Sequence, residues 1–331
     1  MKTLKDFGER KLIELISNKI QSGIAVGIGD DCAAIAMNDH YLLISTDMIS
    51  EKTHIPPVMK PWDIGWFITA INLSDIAAKG GIPLGFLLSM GLKPDMKVND
   101  FQAIIQGVDA CVSTFNASLI GGDTKEHDSM VLSGTIVGKV KKNNFMGRSG
   151  AKAGDILCIT GSIGKAAAGY LAIQKQHFND DVIKNLIHPY PRISEGIQLG
   201  KTTKVSCCMD LSDGLSSSLY QLSKINNVGF TLEIDKLPVS NTLLSMFKDK
   251  SSHSLYLDAM LHFGGDYELL FTCSPNDFYN LQKLFPKNVI NEIGKVTKKT
   301  DIILLKDNER LIIENKGYEH FHKHCLNSSI Y

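Results

Sequence analysis

The sequence predicts a mixed α/β (equally α+β) protein of two domains, on three observations. The chain has 331 residues, more than one hydrophobic core usually organises. Strand-like and helix-like apolar patterns alternate along most of it, in both halves. Between the halves, residues 141–155 (KKNNFMGRSGAKAGD) are basic, polar and glycine-containing. That texture puts a domain boundary near residue 150, with domains at 1–150 and 151–331.

The stretch MKTLKDFGERKLIELI reads as an amphipathic helix. It has acids among its bases and no signal-peptide h-region or cleavage site. HYLLISTD (40–47) is an apolar strand with a polar end. Residues 62–80 form a helix whose apolar face carries Ile64, Phe67, Ile68, Ile71 and Leu73, and Gly80-Gly81 with Pro83 stop it. LGFLLSMGL (84–92) is a strand and 98–116 a helix. SLIGGDT (118–124) is a strand running into a glycine turn, and SMVLSGTIVGKV (129–140) is a long strand. Beyond the boundary come strand DILCIT, turn GSIG, helix 165–176, a helical start at PYPRISEG, strand KVSCCMD (204–210), turn LSDG, helix 215–226 and strand YELLFTC (267–273). There is no tandem repeat and no low-complexity tract.

Hydrophobic residues make up 44% and charged residues 21%, the composition of a soluble globular protein. Lys+Arg and Asp+Glu both number 35, so there is no global pull toward nucleic acid or an anionic membrane. No apolar run approaches about 18 residues, so no transmembrane helix is expected. The seven cysteines (Cys32, Cys111, Cys158, Cys207, Cys208, Cys273 and Cys325) are scattered, with no CxxC pair. They read as reduced core thiols of a cytoplasmic protein.

The carboxylates share one placement. Asp30 and Asp31 lie in the glycine turn GIGDDCA, Asp47 ends LLISTD, and Asp123 follows Gly-Gly after SLI. Asp210 ends KVSCCM, with Asp213 three residues on. Asp75 sits on the 62–80 helix with Asn72 one turn earlier on the same side. Loops after strand ends are where α/β proteins assemble sites. A single strand-end Asp is ordinarily a turn former or N-cap, but five segments that end apolar strands or interrupt an apolar helix with Asp point to a gathered cluster. Clustered carboxylates repel, at a cost of roughly several kcal/mol in low dielectric, unless cations or protons intervene. Ser45 and Thr46 add oxygen ligands and no Cys/His set accompanies them. Hard oxygen donors suit Mg²⁺ or Mn²⁺ rather than zinc.

Two glycine motifs are lures. GIGDDCA fits G-x-G-x-x-A, yet Asp30 and Asp31 would repel the pyrophosphate that a Rossmann loop receives on bare backbone N–H groups. The loop also follows a polar segment, SNKIQSG, rather than an apolar strand. TGSIGKAAAG (160–169) lacks the P-loop's earlier glycine, and Ala166 stands where Ser or Thr would hold Mg²⁺. It reads as a plain strand-to-helix turn. Phosphate would then bind through metal ions on the aspartates, which suits phosphoryl transfer, a reaction that needs mainly positioning and charge neutralisation. Arg148 is a candidate clamp on the transferring phosphoryl group. HFHKHC (320–325) alternates histidines but reads as a polar tail rather than a metal site.

GIGDDCA, ISTDMISEKTH, NLSDIAAKGGIP, LIGGDT, RSGAKAGD, TGSIGKAAAG, DLSDGL, GGDYELLFT and KGYEHF occur in this order. Together, from residue 5 to 322, they resemble the thiamine-monophosphate kinase family. Its superfamily includes aminoimidazole ribonucleotide synthetase and selenophosphate synthetase. The resemblance implies a two-domain aminoimidazole ribonucleotide synthetase-like fold, an N-terminal sheet pairing across a homodimer, and ATP in the cleft between domains. It implies in-line phosphoryl transfer from ATP to thiamine monophosphate, with several Mg²⁺ ions and K⁺ as a further candidate. Carried over, the metal ligands are Asp30, Ser45, Thr46, Asp47, Asp75, Asp123, Asp210 and Asp213, with Asp30 favoured over Asp31. The nucleotide meets Gly122, Asp123, Arg148 and Ser212, and His54 and Tyr318 contact the substrate. A π face suits a thiazolium cation. Where the family reads GGEDYEL this chain reads FGGDYELL. A substrate-contacting Glu is missing, and Asp266 is the weak candidate to stand in. The alternatives are another ATP-dependent superfamily member, such as a selenophosphate-synthetase-like enzyme, or a non-catalytic dimer that binds nucleotide or divalent cations.

Overall fold

A computed structural model describes residues 3–17, 19, 23, 25–176, 179–247, 253–307 and 309–321. After helix α1 (Glu9–Ser17), the first sheet is built from β1 (Ala33–Ala36), β2 (His40–Ser50), β3 (Ile82–Leu92), β4 (Leu119–Glu126) and β5 (Val131–Lys141). Two helices are inserted, α2 (Pro61–Ala78) and α3 (Val98–Thr114). The second sheet comprises β6 (Ile156–Thr160), β7 (Val205–Asp210), β8 (Gly229–Glu233), β9 (Leu269–Cys273), β10 (Ile290–Thr297), β11 (Ile302–Lys306) and β12 (Glu309–Ile312). Its helices are α4 (Lys165–Gln174), α5 (Asp180–Ile187), α6 (Ile193–Thr202), α7 (Leu215–Asn226), α8 (Asn241–Met246), α9 (His253–Leu261) and α10 (Pro275–Lys283).

Among the described residues the strand orders are β1-β2-β5-β3-β4 and β12-β11-β8-β10-β6-β9-β7. Both sheets are mixed: β3 runs parallel to β4, and β8 to β11. The mixed α/β expectation holds. The helices fill a layer between the sheets and a second layer beyond the second sheet. One core joins α2, α5 and α6 to both sheets, and another packs α4, α7 and α9 on the far face of the second sheet.

Helix α2 explains much of this. Pro61 occupies its first turn, and the Asp63 carboxylate accepts the Lys60 N–H at 2.8 Å. Its end is a Schellman arrangement: Gly80, at φ +67, donates to Ala77 O and Gly81 donates to Ile76 O. The expectation of one apolar face is too narrow, because Thr69, Asn72 and Ser74 are buried as well. A helix covered all round is a core helix, and α2 touches α3, α6, β2, β5 and β7. Two of its buried polar groups are satisfied within the helix: Thr69 donates to Gly65 O at 2.9 Å and Asn72 to Ile68 O at 2.8 Å. A Cβ at Gly65 would lie 1.9 Å from the Ile104 carbonyl oxygen, so that glycine sets the close approach of α3.

The other face of the first sheet is uncovered. Met48 and Ile120 are 62% and 59% exposed there, with Ile82 and Leu84 also exposed. Six cysteines are buried and free; Cys325, His322 and His324 lie outside the described residues. No helix among the described residues is long and apolar enough to cross a membrane.

Candidate active site

The acids of four segments converge beside α2. The glycine turn supplies Asp30 and Asp31, with Gly29 at φ +112 making it possible. Alternation along β2 turns Ser45 and Asp47 inward. Asp75 projects from α2, and Asp210 ends β7. Ser45 Oγ lies 2.5 Å from Asp75 Oδ2 and 3.0 Å from the Asp31 carbonyl oxygen, two acceptors for its single proton. Ser74 donates to Asp210 Oδ2 at 2.7 Å. The Asp47 N–H donates to Asn72 Oδ1 at 3.2 Å. Asp31, Asp75 and Asp210 each bring a carboxylate oxygen within 4.8 Å of the other two.

The Thr46 side chain faces the other way. Its hydroxyl donates to Gly134 O at 2.8 Å and accepts from Thr135 on the uncovered face. Gly122 and Asp123 are not brought to the cluster either. The ladder aligns Asp47, Gly134, Leu88 and Gly122 in one row. Gly122 is therefore three strands away, roughly 14 Å at an ordinary strand spacing. Asp123 lies in the next row, with Met48, and its side chain is 61% exposed. Beside it, Leu88, Met90, Ile105, Leu119 and the backbone of 121–124 line a cavity of about 300 Å³.

Two cations enter the cluster from the chain itself. Lys79, at the end of α2, is fully buried. Its ammonium pairs with Asp30, lies 2.7 Å from Asp31 Oδ2 and donates to Cys208 O at 3.0 Å. Arg148 donates its backbone N–H to Asp30 Oδ2 at 2.9 Å, its Nε to Asp31 Oδ1 at 2.7 Å and Nη1 to Gln221 at 3.0 Å. Burial opposes ionisation of Asp31, but Arg148 and Lys79 outweigh it and hold the carboxyl below its ordinary value. The guanidinium expected to clamp phosphate is thus engaged with the glycine turn.

Of the remaining acids of the cluster, among the described residues, only Asp213 has a pairing cation, Arg10 at 3.8 Å from its Oδ2. Burial, then Asp213, pushes Asp47 up to about 6. Burial, then Asp31, pushes Asp210 up to about 7. Burial raises Asp213 to about 6. Asp75 is driven well above the carboxylate range by burial, then Asp47 and Asp210. Such a set calls for external cations, and its donors are oxygens. Cys32 nearby is pushed up by burial and then Asp75, so it stays a thiol. The residues fit a hard divalent ion such as Mg²⁺.

His54 and Tyr318 do meet. Their ring centroids are 6.4 Å apart, and His320 packs against both, tilted to His54 at 5.3 Å and edge-on to Tyr318 at 4.9 Å. Burial, then His320, lowers the His54 pKa to about 4. The Tyr318 N–H donates to Asp213 O at 3.1 Å, tying this aromatic group to the acids. Ser212 lies in the loop after β7 and accepts the Gly265 N–H at 2.8 Å.

Asp266 is placed elsewhere. Its carboxylate accepts the N–H groups of Gly164 at 2.6 Å and Ala166 at 3.0 Å, capping α4. The helix start at GSIGK needs an acceptor, and Asp266 fills it. Gly265 stands at φ +93, a conformation that disfavours any side chain. Glu268, two residues on, is buried and held by Arg192, Lys165 and Thr160.

Sequence reasoning missed Lys79 and favoured Asp30 over Asp31, the one of the two that joins the close trio. A signal existed: Asp75 and Lys79 are four apart on a helix and share a face.

The profile of the AIR synthase related protein N-terminal domain matches residues 29–140, and that of the C-terminal domain matches 152–306. The chain is 32% identical to thiamine-monophosphate kinase of Methanospirillum hungatei, over 94% of this chain and 99% of that protein. It is 32% identical to that of Bacillus subtilis, over 91% and 94%. Among solved structures, AaThiL complexed with AMPPCP and TMP superposes with a TM-score of 0.84 at 28% identity, covering 97% of this chain and 99% of that one. E. coli HypE, a hydrogenase maturation protein, shares the fold at 19% identity and a TM-score of 0.70, over 84% and 87%.

Proposed function

The chain belongs to the thiamine-monophosphate kinase family of AIR synthase related proteins, and we propose that it is an ATP-dependent kinase converting thiamine monophosphate to thiamine diphosphate. An oxygen of the acceptor phosphate attacks the γ-phosphorus of ATP in line. The bond from that phosphorus to the β,γ-bridging oxygen breaks, and ADP leaves. The observation that carries this reading is the gathering of carboxylates, the buried Asp210 with the half-buried Asp47, Asp75 and Asp213, of which, among the described residues, only Asp213 pairs with a cation of the chain, Arg10 at 3.8 Å. Asp30, Asp31, Ser45, Asp47, Asp75, Asp210 and Asp213 would hold several Mg²⁺, which when bound neutralise phosphate charge. The Thr46 side chain, facing away, would contribute only through its backbone. Lys79 and Arg148 hold the glycine turn so that Asp30 and Asp31 keep their aim. His54 and Tyr318 form an aromatic wall suited to the thiamine rings, and an uncharged His54 avoids repelling a thiazolium.

The cavity beside Gly122 and Asp123 suits an adenine. Their distance from the acids, together with the uncovered apolar face of the first sheet, supports a homodimer in which two such faces pair and β4 serves the partner's site. Residues 1–150 would then form the dimerising, metal-binding domain and 151–331 the second. Buried free thiols suit a cytoplasmic setting.

The test is direct. Purified protein with Mg·ATP and thiamine monophosphate yields thiamine diphosphate and ADP in equal amounts by chromatography. ATP binding without product would instead favour the non-catalytic alternative.

A further inference from the structure

Helix α1 is held to the rest of the molecule by polar contacts, since none of its side chains is buried. Glu14 pairs with Lys224, Glu9 accepts the His320 N–H at 3.2 Å, and the Arg10 N–H donates to Glu319 at 3.1 Å. The Arg10 guanidinium points inward. It donates to the Ser217 hydroxyl, to Asn315 Oδ1 at 3.3 Å and to the Tyr318 carbonyl at 3.5 Å, and lies 3.8 Å from Asp213 Oδ2.

Three of these four partners are neutral, so Asp213 is the near counter-charge. Once Asp213 gives its charge to a divalent ion, a partly buried guanidinium is left wanting an anion. The other cations of the site are committed: Lys79 to Asp30 and Asp31, Arg148 to Asp31. Arg10 touches both the acids, at Asp213, and the backbone of the aromatic wall, at the Tyr318 carbonyl. Its Nη2 is thus near enough to both to meet the phosphate of a molecule whose rings lie on that wall.

We propose that Arg10 binds the phosphate of the acceptor, delivered by α1 as a strap across the substrate end of the site. This rests on the kinase reading above. A guanidinium suits the task because its fork meets two phosphate oxygens at once. It orients the acceptor and offsets its charge as it approaches the γ-phosphate of ATP.

The test compares wild type, Arg10→Ala, Arg10→Lys and Lys224→Ala by steady-state kinetics and by calorimetric binding of thiamine monophosphate and unphosphorylated thiamine. Arg10→Ala is expected to raise KM for thiamine monophosphate roughly ten- to a hundredfold, with KM for ATP unchanged. Its affinity for thiamine monophosphate falls while that for thiamine holds. Arg10→Lys restores part of the loss, and Lys224→Ala, which weakens the hold on α1 without touching the guanidinium, raises KM for thiamine monophosphate by less than Arg10→Ala does. A KM within twofold of wild type in Arg10→Ala overturns the proposal, as does an equal loss of affinity for both ligands, which would make α1 a structural prop. A wild type that binds thiamine monophosphate without turnover overturns the kinase reading instead, and the binding comparison still decides Arg10.

Discussion

Replacing Lys79 with Met keeps the length of the side chain and removes its charge. In the wild-type protein the ammonium is fully buried and faces two carboxylates, Asp30 and Asp31, while donating to Cys208 O. Burial alone would lower its pKa, but Asp31 and Asp30 outweigh burial and raise it. After the change, Arg148 is the only one of the two chain cations left for both acids. Breaking a buried pair from one side costs about 3–5 kcal/mol, because the remaining charge stays buried and uncompensated. At roughly 2 °C per kcal/mol for a chain of this size, Tm falls by about 6–10 °C. Thermal and urea unfolding in chelator and in Mg²⁺ measure this. The Mg²⁺-induced gain in Tm should also be larger in the variant, whose cluster is one positive charge poorer. A loss below about 2 °C in chelator, or a Mg²⁺ gain equal to wild type, would refute the assignment of Lys79 as the internal counter-ion.

Two further expectations concern the acids. Asp47→Asn should lower turnover at least about a hundredfold while the metal-free Tm holds or rises. The bond to Asn72 uses the backbone N–H and survives, and a repelling charge is gone; near-normal turnover would remove Asp47 from the site. Stability should also depend on pH through Asp47, Asp210 and Asp213, raised to about 6, 7 and 6. A raised carboxyl stabilises the fold below its unfolded pKa and loses that contribution as pH climbs through the folded value, so metal-free protein loses stability between about pH 4 and 7. His54, lowered to about 4, runs oppositely, giving up stability as pH falls from about 6.5 toward 4. Mg²⁺ needs the ionised acids, so its Tm gain, measured by scanning calorimetry, should be small at pH 5 and grow to pH 8. A gain independent of pH would contradict the placement.

The first half of the chain was legible because its elements are long and bounded by turn residues: β2, β3, β5 and α3 fall where the apolar runs put them. Strand β1 escaped notice, being four residues hidden behind a glycine turn. In the second half, β8, β11 and β12 are five residues or fewer, and β10 carries Glu292 and Lys295 among its apolar residues. Pairing, together with burial for β8, β10 and β11 but not for the exposed β12, makes them strands rather than local pattern. Helix α2 gave its length but not its surroundings, since periodicity detects one apolar stripe and this helix is covered by two sheets' worth of partners.

The acid cluster was legible from strand-end position, and its internal charge balance was not. Like charges gathered in one place imply counter-charges, but sequence does not say whether the chain or the solvent provides them. Lys79 reaches Asp30 across 49 residues, and Arg148 reaches Asp31 across 117. Only the tertiary fold reveals that both spend their charge on the glycine turn. That division gives the two aspartates of GIGDDCA a different standing from the rest. Asp30 and Asp31 are neutralised from within, and their turn is fixed before any ion arrives. Asp47, Asp75 and Asp210 remain in want of cations, and Asp213 has only its 3.8 Å pairing with Arg10. Asp31 belongs to both groups, paired with Lys79 and Arg148 yet within reach of Asp75 and Asp210. It is the residue through which a rigid, pre-neutralised turn is coupled to acids that a divalent ion would order.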